Sequence, residues 1–284
     1  MGLDPRGIRF LLYAKTRGVS FRTTAMIGRQ RFFVGARKFQ KILAEFGHRA
    51  SADEIGQMLT ESQGYAEPFL KWLGAEQIRS LDASDYERAT DIVDLNQPIA
   101  ETLKQQFSLV LDGGTLEHVF DFPTAIRNCM EMVACGGHFI GITPANNYLG
   151  HGFYQFSPEL FFRIFSEQNG FRVMTMAIVE IGPWASWYEV RDPQSAGQRA
   201  ELVNARPTYL FVLAERTQVV PIFSARPHQS DYVEPQRLHD PTVAPIKSWL
   251  PVSVRAAYGA LCSVRKGGLF HRYDPKVFTK MRMP

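Results

Sequence analysis

The fold is most legible in residues 107–119, Phe107-Ser-Leu-Val-Leu-Asp112-Gly-Gly-Thr-Leu116-Glu117-His118-Val119. The first six residues are short, apolar and end on an acid, as a strand buried on both faces of a parallel sheet would. Pro123 follows, and Phe122, Ala125, Ile126, Cys129, Met130 and Val133 recur at a helical period until Gly136-Gly137. His138 to Ile142 is then a second apolar run. Strand, crossover helix and strand make one unit of a parallel α/β sheet.

The same alternation extends outward in both directions. Thr24 to Gly28, Ile78 to Asp82 and Thr90 to Asp94 are three earlier strands. Between the first two, residues 36–46 place Phe39, Ile42, Leu43 and Phe46 on one helical face, and Ser51 with Glu54 forms a capping box. Residues 66–73 read as a further helix that stops at Gly74. Downstream, Ser157-Pro158 opens a helix that runs to Asn169-Gly170. Phe171 to Glu180 and Thr208 to Glu215 lack an intervening helix of convincing length, so they are expected to pair as a hairpin-like antiparallel edge. From about residue 217 prolines recur, and regular structure returns only as a short helix near 252–264.

At 284 residues, 45% hydrophobic and 21% charged, the composition is that of a globular chain. No apolar run approaches the roughly 18 residues of a membrane span. Phe10 to Ala14 is too short for a signal-peptide core, and Arg6 stands where a myristoylation motif requires Ser or Thr, so a cytoplasmic location is expected. Cys129, Cys135 and Cys262 have no metal or redox spacing, and reduced thiols with no metal site are expected. The net charge of +4 is uneven: residues 1–50 hold eleven Lys/Arg against Asp4 and Glu45, and residues 254–284 hold seven against Asp274. The basic tail is a candidate for peripheral association with an anionic membrane, although a solvated basic surface explains it equally well. The domain carries no basic, aromatic-interleaved stripe, so no nucleic-acid partner is expected.

Four segments in order carry a resemblance: FSLVLD at 107–112, LEHV at 116–119, CGGHF at 135–139, and FSPEL at 156–160 continuing to Asn169-Gly-Phe171. Together they resemble the class I S-adenosylmethionine-dependent methyltransferases, over about residues 23–215. The resemblance implies a Rossmann-like α/β fold with a mostly parallel seven-stranded sheet flanked by helices and an antiparallel last strand pair. The methyltransferase-like domain would span residues 1–216, with a basic segment 1–22 and inserted helices 36–74. A Pro-rich, basic extension would occupy residues 217–284. The implied cofactor is S-adenosyl-L-methionine. The implied reaction is methyl transfer to a small molecule or glycan, at oxygen; the glycan comes only from likeness of the HGFYQFSPELF loop to polysaccharide-modifying enzymes.

Ligands of open α/β sheets sit beyond the carboxyl ends of the strands. Asp82, ending the second strand, is placed to accept hydrogen bonds from a ribose diol. Asp94 is placed to accept from an adenine amino group, with the Leu95 backbone reading the ring edge and Asp112 ending the fourth strand beside them. The first loop departs from the family's GxGxG-like run and reads Gly28-Arg29-Gln30-Arg31. Arg29 could replace the missing backbone donors with a forked pair to the methionine carboxylate. Alternatively the cofactor site is impaired and the chain is a catalytically inactive, methyltransferase-like binding scaffold. For the transfer, His118 after strand four and His151 after strand five are candidate bases, with Glu117 beside them as a catalytic group or a helix cap.

Overall fold

The computed structural model describes residues 2–182, 185–233 and 273–283. The chain begins with β1 (Gly2–Leu3) and α1 (Pro5–Thr16), then β2 (Thr23–Ile27), β3 (Arg31–Phe32), α2 (Ala36–Glu45), α3 (Ala52–Ser62) and α4 (Glu67–Trp72). The middle runs through β4 (Gln77–Asp82), β5 (Asp91–Ile92), β6 (Phe107–Asp112), α5 (Phe122–Met132), β7 (Val133–Pro144) and α6 (Pro158–Ile164). It closes with β8 (Phe171–Glu180), β9 (Trp187–Val190), the short α7 (Pro193–Ala196), β10 (Thr208–Arg216), the short α8 (Ser230–Val233) and β11 (Phe278–Met281).

One sheet organises the molecule, in the order β11-β9-β8-β10-β7-β6-β2-β4-β5. β5, β4, β2, β6 and β7 are mutually parallel. The other four join antiparallel. The sheet is therefore mixed and nine-stranded, where seven mostly parallel strands were expected. The expected edge hairpin is also different. β10 does pair with β8, but its other side bonds β7 from Tyr209↔Pro144 to Glu215↔His138, so it is an interior strand. Its run Leu210 to Ala214 is wholly buried, which suits a strand covered on both faces and unsuits an edge. The edge passes to β9 and β11.

Period-two alternation divides the core between the two faces of the sheet. Ala25, Val110, Phe139 and Val212 point to a layer with Ile126 and Met130 of α5 and Phe161 of α6. Met26, Leu109, Leu111, Ile140 and Phe211 point to the other, against Phe10 and Leu11 of α1, Phe39 and Leu43 of α2, and Phe69 of α4.

Local signals account for most element ends. Ser51 and Glu54 form the anticipated capping box, Asp121 caps α5 through Thr124, and Ser157 caps α6 with Pro158 in its first turn. The α6 helix stops at Ile164, and a separate 3-10 turn, Glu167–Asn169, fills the remainder of the expected helix. The third strand is only Asp91–Ile92, shorter than the expected Thr90 to Asp94. α1 lies inside the segment read as merely basic: Asp4 accepts from the amides of Arg6 and Gly7, and Ile8, Phe10, Leu11 and Leu12 are buried.

The extension after residue 217 is not wholly apart from the domain. β11 adds an edge to the main sheet, and Ile222, Val277 and Phe278 are buried in its core. Cys262 and the expected helix near 252–264 lie outside the described residues. No helix among the described residues is long and apolar enough to cross a membrane.

Candidate functional site

Strand order reverses between β2 and β6, so the chain leaves these neighbours in opposite directions, and the ligand crevice of an open α/β sheet is expected at their carboxyl ends. Ile27-Gly28 forms one lip and Asp112-Gly113-Gly114 the other. Thr115 ties the lips together by donating from its hydroxyl to the Ile27 carbonyl at 2.6 Å. Gln30 is fully buried between them, its amide donating to the carbonyls of Ile27 at 2.6 Å and Gly28 at 3.3 Å. A Cβ on Gly113 would stand 2.3 Å from Gln30 Oε1, so a larger residue there would force the Gln30 amide to shift. That same oxygen is buried without a hydrogen-bond partner among the described residues.

Asp112 is also fully buried. Its Oδ1 accepts from the amides of Thr115 at 2.8 Å and Leu116 at 3.4 Å, which folds the 3-10 turn Leu116–His118 against the strand end. Its Oδ2 has no hydrogen-bond partner among the described residues. Burial pushes the Asp112 carboxyl up to about 7, against the pull of the Thr115, Leu116 and Gly114 amides. Burial first, and then the Asp112 charge, push Glu117 up to about 8. Two carboxyls thus share one poorly solvated corner, and ionising one opposes ionising the other.

Glu117 also receives the loop that follows β7. The amides of Phe153 and Tyr154 donate to its carbonyl at 2.7 and 3.3 Å, and the Tyr154 hydroxyl donates to the Phe120 carbonyl at 2.6 Å. Docked this way, the loop delivers His151, whose Nε2 lies 3.4 Å from Glu117 Oε1, while His118 Nε2 lies 4.0 Å from the same oxygen. The two imidazoles are 4.9 Å apart, near perpendicular, and each is about half exposed. Burial, and then the nearby His151, hold the His118 imidazolium below its ordinary range. Phe120 and Phe153 stand beside them, 73% and 66% exposed, with their rings in edge contact.

The sequence-derived candidates therefore fall into groups. Gly28, Gln30 and Asp112 meet at the crevice, and Glu117, His118 and His151 meet on the same sheet edge. Asp82 ends β4 partly exposed and accepts from the Ser84 amide at 3.3 Å. Asp94 is exposed and holds a tight turn through Asn96, whose amide and side chain lower its carboxyl from the ordinary range. Leu95 is buried, and its carbonyl accepts from Asn128 at 3.2 Å. Arg29 has other partners: it pairs with Glu67 at 2.6 Å, donates to the Glu87 carbonyl at 3.0 Å and lies 3.8 Å over the Tyr65 ring. It forms, with Glu67, Glu54 and Trp72, part of a groove of about 600 Å³ along α3 and α4. Sequence reasoning passed over Gly113 and Thr115. The signal was present as Asp-Gly-Gly-Thr directly after the most apolar strand.

No family model and no curated protein matches the chain. Solved structures are similar in outline. A Listeria monocytogenes protein assigned as an S-adenosylmethionine-dependent methyltransferase is 12% identical over 74% of this chain and 98% of its own, with a TM-score of 0.42. An S-adenosylmethionine-dependent methyltransferase from Mesorhizobium loti is 15% identical over 75% and 98%, with a TM-score of 0.38. The Burkholderia thailandensis 1,6-didemethyltoxoflavin-N1-methyltransferase, solved with 1,6-didemethyltoxoflavin and S-adenosylhomocysteine, is 13% identical over 75% and 78%, with a TM-score of 0.36. The α/β assignment rests on the chain's own strand order.

Proposed function

We propose that the chain is an S-adenosylmethionine-dependent methyltransferase that methylates a hydroxyl of a small molecule or glycan. The observation that carries this reading is the pair of donorless acceptors, Gln30 Oε1 and Asp112 Oδ2, buried at the strand-order reversal. Buried acceptors call for donors. The amino-acid end of S-adenosylmethionine offers an ammonium group, and its sulfonium adds positive charge beside a carboxyl. Gln30 and Asp112 would hold that end, Asp82 the ribose diol, and Asp94 with the Leu95 backbone the adenine. When bound, the cofactor supplies an electrophilic methyl group.

The chain's own residues would then position the acceptor. His118 and His151 sit at the carboxyl ends of β6 and β7, either of them able to take the proton of a hydroxyl. Phe120 and Phe153 offer exposed aromatic surface to the apolar side of a ring-shaped acceptor, as exposed patches at ligand sites do.

Calorimetric titration with S-adenosylmethionine tests the reading. The parent protein should bind one equivalent. Asp82→Ala should weaken binding roughly ten- to a hundredfold, the loss of a hydrogen-bonded carboxylate worth about 1.5–3 kcal/mol. An unchanged dissociation constant in the folded variant removes Asp82 from the site. Absence of binding by the parent favours the second reading, a non-catalytic scaffold. That reading draws on Gln30 lying across the crevice and on Arg29 being committed to Glu67.

A further inference from the structure

We propose that Glu117, His118 and His151 form a binding site for one divalent cation of the first transition row, zinc or manganese in type, at the carboxyl edge of the sheet. The site does not depend on the methyl-transfer reading; an ion held on both imidazoles would replace them as the group that eases proton loss from a hydroxyl.

The donor set is two imidazoles and one carboxylate, each offering one ligand atom, all lying within 4.8 Å of one another. An ion bound at about 2.0–2.2 Å from each donor requires donors roughly 3–3.6 Å apart. His151 Nε2 and Glu117 Oε1 already stand at 3.4 Å, and His118 Nε2 at 4.0 Å needs only a small closure. Neither separation is a good hydrogen bond, so the three groups are gathered without being satisfied by one another. Glu117 is 1% exposed, and its second oxygen, Oε2, is buried with no hydrogen-bond partner among the described residues. An oxygen so placed is open to a donor or to an ion.

The architecture also suits binding. Glu117 is fixed by the turn after β6 and by two loop amides on its carbonyl, and both histidines are about half exposed. Imidazole and carboxylate together select zinc, manganese or iron over calcium, which favours oxygen ligands alone. Three protein ligands leave coordination positions open to water or to a hydroxyl-bearing ligand, the arrangement of reactive rather than purely structural metal sites.

Full-length protein stripped with chelator and titrated calorimetrically with zinc chloride, and separately with manganese chloride, provides the test. S-adenosylmethionine is left out, so failure of the methyl-transfer reading does not affect the outcome. The expected result is one saturable site per chain for at least one of the two ions. His151→Ala and His118→Ala should each weaken it at least tenfold, as should Glu117→Gln, while Cys135→Ser leaves it unchanged. The two histidines are exposed, so their variants are expected to fold even if Glu117→Gln does not. The parent melting temperature should rise with the ion and that of His151→Ala should not. No saturable site for either ion overturns the proposal, and so does binding that survives His151→Ala or His118→Ala.

Discussion

Asp112 concentrates the physical tension of this chain at one residue. Its backbone position closes the most apolar strand, and its Oδ1 is needed to fold the following turn, yet its carboxyl is removed from water. In the unfolded chain the group titrates near 3.9. In the folded protein burial raises it to about 7, so the folded state holds its proton to higher pH than the unfolded state does. The sign follows: stability from this group is full below about pH 4 and declines as pH rises through 7, by on the order of a few kcal/mol. Asp112→Asn should flatten that decline, which urea unfolding midpoints of parent and variant at pH 5 and pH 8 would reveal. Equal slopes in the two proteins would assign the decline elsewhere, Glu117 being the other raised carboxyl in the corner. The sequence exposes Asp112 as a strand-end acid but not its burial, because solvent exposure at a strand end depends on what crosses above it. Here that is Gln30, which is read from sequence as a loop residue and found fully buried. Arg29 was legible as a charge near the loop, but its choice of Glu67 and Tyr65 depends on where α4 docks.

At the scale of elements, two segments far apart in sequence build the histidine edge. The turn Leu116–His118 hangs from β6, and the loop after β7 is docked on it through the Glu117 carbonyl. Gly152 makes this docking work. It has φ +72, and a Cβ there would stand 2.7 Å from the Glu117 carbonyl oxygen. Gly152→Ala therefore faces a left-handed backbone and a clash with the backbone it must bond, and should destabilise by about 1–3 kcal/mol. Gly150 is two residues away with nothing within 4 Å of its would-be Cβ. Gly150→Ala is the control and should melt close to the parent. Thermal melts of the pair decide it; equal melting temperatures would mean that the loop is not held by Glu117. The residues of the two elements were visible as LEHV and the glycine- and aromatic-rich loop, but their mutual distance was not, since no period relates residue 117 to residue 151. α1 is the opposite case. Its cap at Asp4, its Pro5 and its apolar positions were all present, but the surrounding arginines masked them as a solvated segment.

For the whole molecule, the alternation of apolar runs with helical periods was enough to anticipate a parallel sheet, because buried parallel strands leave continuous apolar runs. What alternation leaves open is lateral order, since strand neighbours are chosen by crossover geometry rather than by composition. That is why β10 proved interior and why the far end of the chain, set among prolines and basic residues, gave no sign of returning as β11. The return is well anchored. Tyr273 stacks on Tyr188 at 3.6 Å and donates from its hydroxyl to Glu180 at 3.0 Å, while the Arg191 amide donates to the Val277 carbonyl at 2.9 Å. Val277 and Phe278 are 0% and 4% exposed. A segment that reads as an electrostatic tail is thus also part of the core, and the two roles separate by substitution. Phe278→Ala removes a buried ring and should cost about 3–5 kcal/mol, a drop in melting temperature of roughly 6–20 °C. Lys276→Ala with Lys280→Ala, at positions exposed to solvent, should leave the melting temperature within about a degree, since surface substitutions rarely exceed ±0.5 kcal/mol. If the basic end also contacts anionic vesicles, the lysine pair alone should weaken that contact in a salt-dependent way. A Phe278→Ala protein that melts like the parent would show that the sheet ends at β9 in solution.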